Sequence, residues 1–439
     1  MKTKVVFYGG VGEIGGNKIL VEEGDTRVFM DFGKSFAARR SYFSDPFIAP
    51  KRLEDLITLG VIPDLKGLYV NSEECLFDCV LLSHAHSDHS GYISLLNRGV
   101  RVYCGEATKR ILDVYRVTGR RTLETDLSGL EITSFKTGDV LSVGSLEVRP
   151  VHVDHSTPGS YGFIVRGSKT VVYTGDFRVH GTRPDLTEDF VREASEESVD
   201  LLLVEGTNIF DVEISSEEEV CRKLLTCVEK CRRLVVAYFS LTDVDRLKSF
   251  IRVAEDTGRS LVITPKHAKV LEGLQELKID IPPLTSGKFK VYRRRKSREE
   301  KWEKEVFEKY EAFDSSEVSK RQEEVILVLP TVMIRELLEI KPREGSIYVL
   351  SSSEPFTEEQ EIEFERLINW VKRFRMPMYR VHCSGHASPH DIVEVVKRIK
   401  PREVGVVHSE HPEVLASLIS SNCSCKVFVP VRGEIRSLN

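Results

Sequence analysis

The sequence predicts a mixed α/β protein in which one domain is interrupted by another. Three observations lead there. The first ~200 residues read as short strands broken by polar turns. From about residue 207 helix-like and strand-like stretches alternate, as parallel α/β units do. Beyond about residue 381 the strand-rich texture returns. The expected division is therefore 1–205 and 382–439 for the outer domain and 206–381 for the insert.

The opening runs Lys4–Tyr8, Lys18–Glu22 and Thr26–Met30 are β-like and separated by glycines and Gly24-Asp25. Cys79–Leu82 is a short apolar run, and Leu146–Val153, Gly162–Val165 and Thr170–Tyr173 follow. Antiparallel hairpins are expected to dominate here. In the insert, the helix-like Ser216–Cys231 leads to strand Leu234–Phe239, helix Thr242–Thr257 and strand Ser260–Thr264. Residues Tyr292 to Glu324 are intensely charged and lack a long apolar stripe. Strands resume at Val325–Leu329 and Ser346–Ser351, with a helix over Thr357–Arg373. Tyr379–His382, Val404–His408 and Lys426–Val429 are the strands of the last segment. No repeat of 20–50 residues is present.

With 41% apolar and 30% charged residues among 439, the chain suits a globular protein of two or three domains. No apolar run reaches the ~18 residues of a membrane span, and the start reads as neither a signal peptide nor an anchor. Nine cysteines without a Cys-x-x-Cys pair do not make a disulfide framework, so a reducing cytoplasm is expected. Cys423 and Cys425 read as inert thiols. The net charge of -5 decides nothing about nucleic acid, because carboxylates that bind divalent metals reverse their local field.

His84-Ala85-His86-Ser87-Asp88-His89 carries the chemistry. Four potential ligands in six residues, directly after an apolar strand, suit zinc, manganese or iron, and suit two adjacent ions better than one. One run cannot fill two coordination spheres, so distant ligands are required.

The order Asp31, His84 to His89, His155 in Val153-Asp154-His155-Ser156, then Asp176 in Thr174-Gly175-Asp176 resembles the successive motifs of the metallo-β-lactamase fold, an αββα sandwich. The resemblance implies that His84, His86 and His155 hold one metal, that Asp88 and His89 hold the other, and that Asp176 bridges them. Asp31 would orient a ligand histidine. Glu205 at the end of Leu201–Val204, His386 in Ser384-Gly385-His386-Ala387, and His408 after Val404–Val407 resemble the extra motifs of the β-CASP nucleases, RNase J among them. By that resemblance His408 completes the second metal site, His386 contacts the scissile phosphate, and Glu205 supports the site. The insert matches the place of the β-CASP domain.

The resemblance thus implies a metal-dependent ribonuclease acting on single-stranded RNA with two divalent ions, zinc by family habit and manganese by ligand type. A DNA nuclease of the same fold, a small-molecule metallo-hydrolase and an idle RNA-binding subunit are the alternatives. Exonuclease and endonuclease action, and the oligomeric state, stay open. RNase J enzymes usually carry a further C-terminal domain, which this sequence does not extend into; compactness suggests the archaeal type.

Four other features are weighed. Gly10-Val11-Gly12-Glu13-Ile14-Gly15 fits a dinucleotide fingerprint, but a β-like run follows where a helix is needed, so it reads as a turn. Tyr292 to Lys296 with Arg298 reads equally as a phosphate-binding patch or a solvated face, since acids follow at once. Ser351-Ser352-Ser353 reads as loop chemistry ahead of a phosphate contact. His382 and His390 are weak candidates, and His180 reads evenly as a pocket or a surface residue.

Overall fold

The computed structural model describes residues 2–44, 47–210, 216–277, 289–352 and 358–438, together with 279, 281, 284 and 287. By internal packing the chain separates into two units, Met1–Val212 with Gly385–Asn439, and Glu213–Ser384.

The strands, in chain order, begin with β1 (Thr3–Gly9), β2 (Lys18–Glu23), β3 (Thr26–Met30), β4 (Cys79–Leu82), β5 (Arg101–Gly105) and β6 (Ile132–Phe135). Next come β7 (Leu141–Val143), β8 (Leu146–His152), β9 (Tyr161–Arg166), β10 (Thr170–Tyr173) and β11 (Leu201–Glu205). The second unit holds β12 (Val235–Tyr238), β13 (Ser260–Ile263), β14 (Phe289–Tyr292), β15 (Ala312–Phe313), β16 (Val325–Val328), β17 (Ile347–Leu350) and β18 (Met378–Arg380). The chain closes with β19 (Glu403–Val407), β20 (Lys426–Phe428) and β21 (Ile435–Ser437).

Unit 1 is two seven-stranded sheets, ordered β21-β1-β2-β3-β4-β5-β6 and β20-β19-β11-β10-β9-β8-β7. Alternation along each strand explains their near-continuous apolar runs, because both faces of both sheets are covered. Cys79 and Leu81 of β4 turn into the core between the sheets, while Val80 and Leu82 pack under the outer helices. Leu201 and Leu203 of β11 enter the same inter-sheet core, and Leu202 and Val204 meet the helices Pro184–Ser195 and Pro389–Ile399 on the other side. The result is an αββα sandwich.

Hairpins join β1 to β3 and β7 to β10, but β3, β4, β5 and β6 pair in parallel. The hairpin-dominated expectation therefore holds for only part of this unit. Helical crossovers connect the parallel strands, among them the short Leu53–Thr58 and the amphipathic Glu106–Thr118, whose Ala107, Ile111 and Leu112 are buried. The last segment likewise contains two helices besides its strands, Pro389–Ile399 and Pro412–Asn422, each opened by a proline in its first turn.

Unit 2 is one parallel sheet, ordered β15-β14-β13-β16-β12-β17-β18. Its expected helices begin just inside their caps: Ser216 caps Glu217–Lys230, and Asp243 caps Val244–Asp256. The helix expected from Thr357 is described from Glu358; Thr357 lies outside the described residues. The charged stretch after Tyr292 contains the helix Lys301–Lys309, seated by Val306 alone among its apolar residues. Among the described residues no helix is long and apolar enough to cross a membrane.

Candidate metal centre

The parallel strands bring the chemistry to one edge. Asp31 follows β3, His84 to His89 follow β4, Asp176 follows β10, Glu205 ends β11 and His408 follows β19, all at carboxyl ends. Carboxyl ends of parallel strands are where open α/β sheets bind ligands. His155 leaves β8 and His386 leaves the segment ahead of the helix Pro389–Ile399.

Three ligand groups form. His84, His86 and His155 make the first; Asp88, His89, Asp176 and His408 the second; Asp176, Glu205, His386 and His408 the third. Within each group the ligand atoms lie within 4.8 Å of one another.

In the first group His86 Nδ1 is 3.0 Å from His84 Nε2 and 3.4 Å from His155 Nε2. A tetrahedral ion with Zn–N bonds of ~2.0–2.1 Å needs its nitrogens about 3.3 Å apart. The opposite ring nitrogens settle which atoms carry hydrogen. His155 Nδ1 donates to the Gly385 carbonyl at 2.6 Å. The Ser83 hydroxyl gives its proton to Asp31, so His84 Nδ1, at 3.0 Å, donates to it. His86 Nε2 meets the Thr157 hydroxyl at 3.2 Å. His84 and His155 thus turn lone pairs towards His86 Nδ1, and when the Thr157 hydroxyl accepts from His86 Nε2 all three converge where a cation would sit. Burial first, then the neighbouring His89, holds His84 well below the ordinary histidine range; burial and His386 do the same for His155. Neutral imidazoles are what a metal requires.

The second group is built with charge. Asp31 is fully buried and accepts four hydrogen bonds, from the Ser83 amide and hydroxyl, His89 Nδ1 and the Tyr173 hydroxyl. His89 Nε2 is thereby turned towards Asp176 Oδ2, 3.0 Å away. His408 Nδ1 meets the Thr207 hydroxyl at 2.7 Å, while its Nε2 lies 3.2 Å from Asp88 Oδ2. Neither oxygen of the buried Asp176 accepts a well-aligned hydrogen bond, its nearest polar neighbours being His89 Nε2 at 3.0 Å and His408 Nδ1 at 3.5 Å. A buried carboxylate left so is costly unless a cation sits against it. Burial opposes protonation of His89, but Asp176, Asp31 and Asp88 together raise its affinity for a proton well above the ordinary range. The carboxylates there demand a positive charge, and a divalent ion would supply it; the donor set fits.

His386 is fixed by Glu205, whose Oε2 accepts its Nδ1 hydrogen at 2.8 Å. Glu205 Oε1 also accepts the Phe177 amide at 2.8 Å, which locks the carboxylate in place. Burial lowers the His386 pKa, but the charge and hydrogen bond of Glu205, then Asp176 and Asp88, outweigh it and push it up to about 9.

Backbone strain marks the same edge. Asp31 and His408 adopt φ of 60° and 51°, the left-handed region that non-glycine residues rarely occupy. Such conformations cost roughly 1–3 kcal/mol and persist where a side chain is needed. Gly33 allows the close approach beside it: a Cβ there would lie 1.6 Å from the Asp88 carbonyl oxygen.

Sequence reasoning missed the partners that orient the ligands: Ser83, Tyr173, Thr157, Thr207 and the Gly385 carbonyl. It also missed Asn17, fully buried, whose Nδ2 is 3.3 Å from His89 Nε2. Ser83, Thr157, Tyr173 and Thr207 each adjoin a named motif and Gly385 lies within one, but nothing in the sequence shows which ligand each would orient; Asn17 stands outside them all.

The remaining candidates add no ligand atom to these groups, although the Gly10–Gly15 turn does reach their edge, where the His408 amide donates to the Gly10 carbonyl at 2.7 Å. Gly10 to Gly15 form a turn between β1 and β2, so no phosphate-binding helix follows. In the basic run, Arg293 pairs with Glu299, Arg294 with Glu336, Arg295 with Asp314 and Lys296 with Glu303, which favours the solvated-face reading. Ser351 is buried and accepts from Arg246 at 2.7 Å; Ser353 lies outside the described residues. His382 Nδ1 lies 3.2 Å from Arg246, His180 is half-buried beyond Arg178, and His390 is exposed on a helix. Cys423 and Cys425 pack partly buried against the outer core.

Comparison with known proteins agrees with this geometry. Residues 74–232 match a family described as a beta-lactamase superfamily domain, and residues 371–430 match a Zn-dependent metallo-hydrolase RNA specificity domain. The fold and the ligand groups define a metallo-hydrolase of the metallo-β-lactamase superfamily. Within it, the chain belongs to the β-CASP, ribonuclease J-like proteins. It is 25% identical to a ribonuclease J of Pyrococcus abyssi, over 98% of this chain and 96% of the relative. To a ribonuclease J of Sinorhizobium meliloti it is 30% identical over 48% of this chain, spanning 37% of that relative's length. A crystal structure of a protein of unknown function from Enterococcus faecalis shares the fold, with a TM-score of 0.78 at 24% identity and full coverage of both chains.

Proposed function

We propose that this chain is a metal-dependent ribonuclease that hydrolyses phosphodiester bonds of single-stranded RNA, with two divalent ions held side by side. The observation that carries the reading is the sharing of one edge by two ligand groups and a Glu205–His386 pair. His84, His86 and His155 would hold one ion, Asp88, His89 and His408 the other, and Asp176 would lie between them. Zinc suits the nitrogen-rich first group, and manganese also fits the oxygen-richer second. Ions bound there would supply a nucleophilic water at neutral pH and relief of charge on the phosphoryl oxygens.

The chain's own residues do the rest. Asp88 accepts a hydrogen bond from the attacking water and so aims it. His386 donates from its Nε2 to the phosphate or its leaving oxygen, a preorganised contact of the kind worth ~10²–10³ in rate. Glu205 holds the imidazole in the tautomer that makes this donation possible, and favours the charged form. The RNA specificity match over residues 371–430 and the names of the two relatives support RNA over DNA. Cysteines present as thiols rather than disulfides suit a reducing cytoplasm.

The test is cleavage of a labelled single-stranded RNA, beside DNA of the same sequence, by metal-loaded protein. RNA cleavage is expected, and an activity no greater than that of an Asp88→Ala/His89→Ala control refutes the reading. Circular RNA and 5′-monophosphate RNA, run alongside, separate internal cutting from 5′ trimming.

A further inference from the structure

Beyond the cleavage chemistry, one exposed aromatic pair stands at the rim of the second ligand group. β11 and β19 are parallel neighbours with Glu205 opposite Val407. Past the strand ends their chains stay together: the Gly206 amide donates to the His408 carbonyl at 3.4 Å, and the Thr207 hydroxyl meets His408 Nδ1 at 2.7 Å. Three residues on from each, Phe210 and His411 meet again. Their ring centroids are 4.9 Å apart at an interplanar angle of 68°. The Cα atoms of Phe210 and His411 therefore lie within about 11 Å of those of Thr207 and His408.

Phe210 is 67% exposed, while its neighbour Ile209 packs against the outer core. A singly exposed apolar residue is ordinary. This one is aromatic, meets a histidine ring edge-to-face, and stands three residues beyond a ligand-positioning hydroxyl. Tyr42, Phe47 and Ile48 are also exposed, but no contact ties them to the ligand groups.

We infer that Phe210, braced by His411, is a stacking platform for one unpaired base of the RNA, close to the scissile phosphate. The inference rests on the ribonuclease reading above. A flat apolar face takes any base without sequence preference, and single-stranded RNA is held largely by such stacking. His411 lies within the segment that matches the RNA specificity domain, and Phe210 leaves the adjoining parallel strand.

The experiment measures KM and kcat on a short single-stranded RNA and on a series in which each nucleotide in turn is abasic. Phe210→Ala and Phe210→Trp are compared with the unsubstituted protein, with bound metal and melting temperature recorded for each. Base–aromatic stacking predicts that Phe210→Ala raises KM roughly 5-fold or more and that Phe210→Trp restores it. The unsubstituted protein should lose a similar factor at one abasic position near the cut, and Phe210→Ala should lose nothing further there. An abasic profile and KM unchanged by Phe210→Ala overturn the platform while leaving the ribonuclease reading intact. If Phe210→Ala fails to fold, a flat abasic profile in the unsubstituted protein overturns it as well. Failure of the unsubstituted protein to cleave any RNA removes the parent reading instead.

Discussion

The two ligand groups differ in how they prepare for a cation. The His84–His86–His155 group offers three neutral nitrogens whose opposite ring atoms are tied to a carbonyl or a hydroxyl. The Asp88–His89–Asp176–His408 group is rich in carboxylate and holds His89 in a state that favours a proton. One group is shaped chiefly by hydrogen-bond geometry, the other chiefly by charge. Buried imidazoles stay neutral when their surroundings are apolar and become cationic beside carboxylates, so neighbours rather than residue type set the character of each site.

The strongest way to break the comparison is to remove what the groups share. Asp176→Ala should abolish RNA hydrolysis, on the order of 10³-fold or more, with metal lost from the protein. Elemental analysis showing both ions retained would mean that Asp176 does not join the groups. His386→Gln should lower kcat by ~10²–10³ while leaving metal content unchanged, which separates the phosphate contact from ligation.

Smaller effects sharpen the contrast. Thr157→Val removes the hydroxyl at His86 Nε2, and Thr207→Val the one at His408 Nδ1. Each should weaken metal affinity ~10–100-fold, the first in one group and the second in the other. Metal titrations in which both variants lose the same ion would collapse the distinction.

The last test uses a histidine outside both groups. His267 is buried against Phe239, and burial alone pushes its pKa down to about 4. A histidine free in the unfolded chain titrates near 6.5, so between about pH 6.5 and 4 the unfolded state binds more protons. Stability is therefore lost as pH falls through that window, by up to about 3 kcal/mol, and added metal should not restore it. Denaturant unfolding of His267→Gln should show a flatter acid limb with ribonuclease rate unchanged at neutral pH.

Much of the architecture is legible because apolar runs announce strands whatever they pair with. Cys79–Leu82 and Leu201–Val204 read as strands since all their faces are buried. Their pairing partners do not read out, because an apolar run is the same whether its neighbour in the sheet runs parallel, as in β3–β4–β5–β6, or antiparallel. The basic run at Arg293 was ambiguous for a similar reason, because partners such as Glu336 and Asp314 stand far off in sequence.

By itself, the sequence determined the inventory of ligands and their order along the chain. Imidazole and carboxylate groups keep their chemistry wherever they stand, and six adjacent residues cannot avoid being close. Tertiary structure alone decided the rest. It brought Asp31, His155, Asp176, Glu205, His386 and His408 to one edge across more than 300 residues. It also set each tautomer through partners such as the Gly385 carbonyl, 230 residues from His155, and left Phe210 in solvent beside His411. Local pattern encodes which face of a strand is apolar; only strand pairing and crossover packing decide which loops meet at its end.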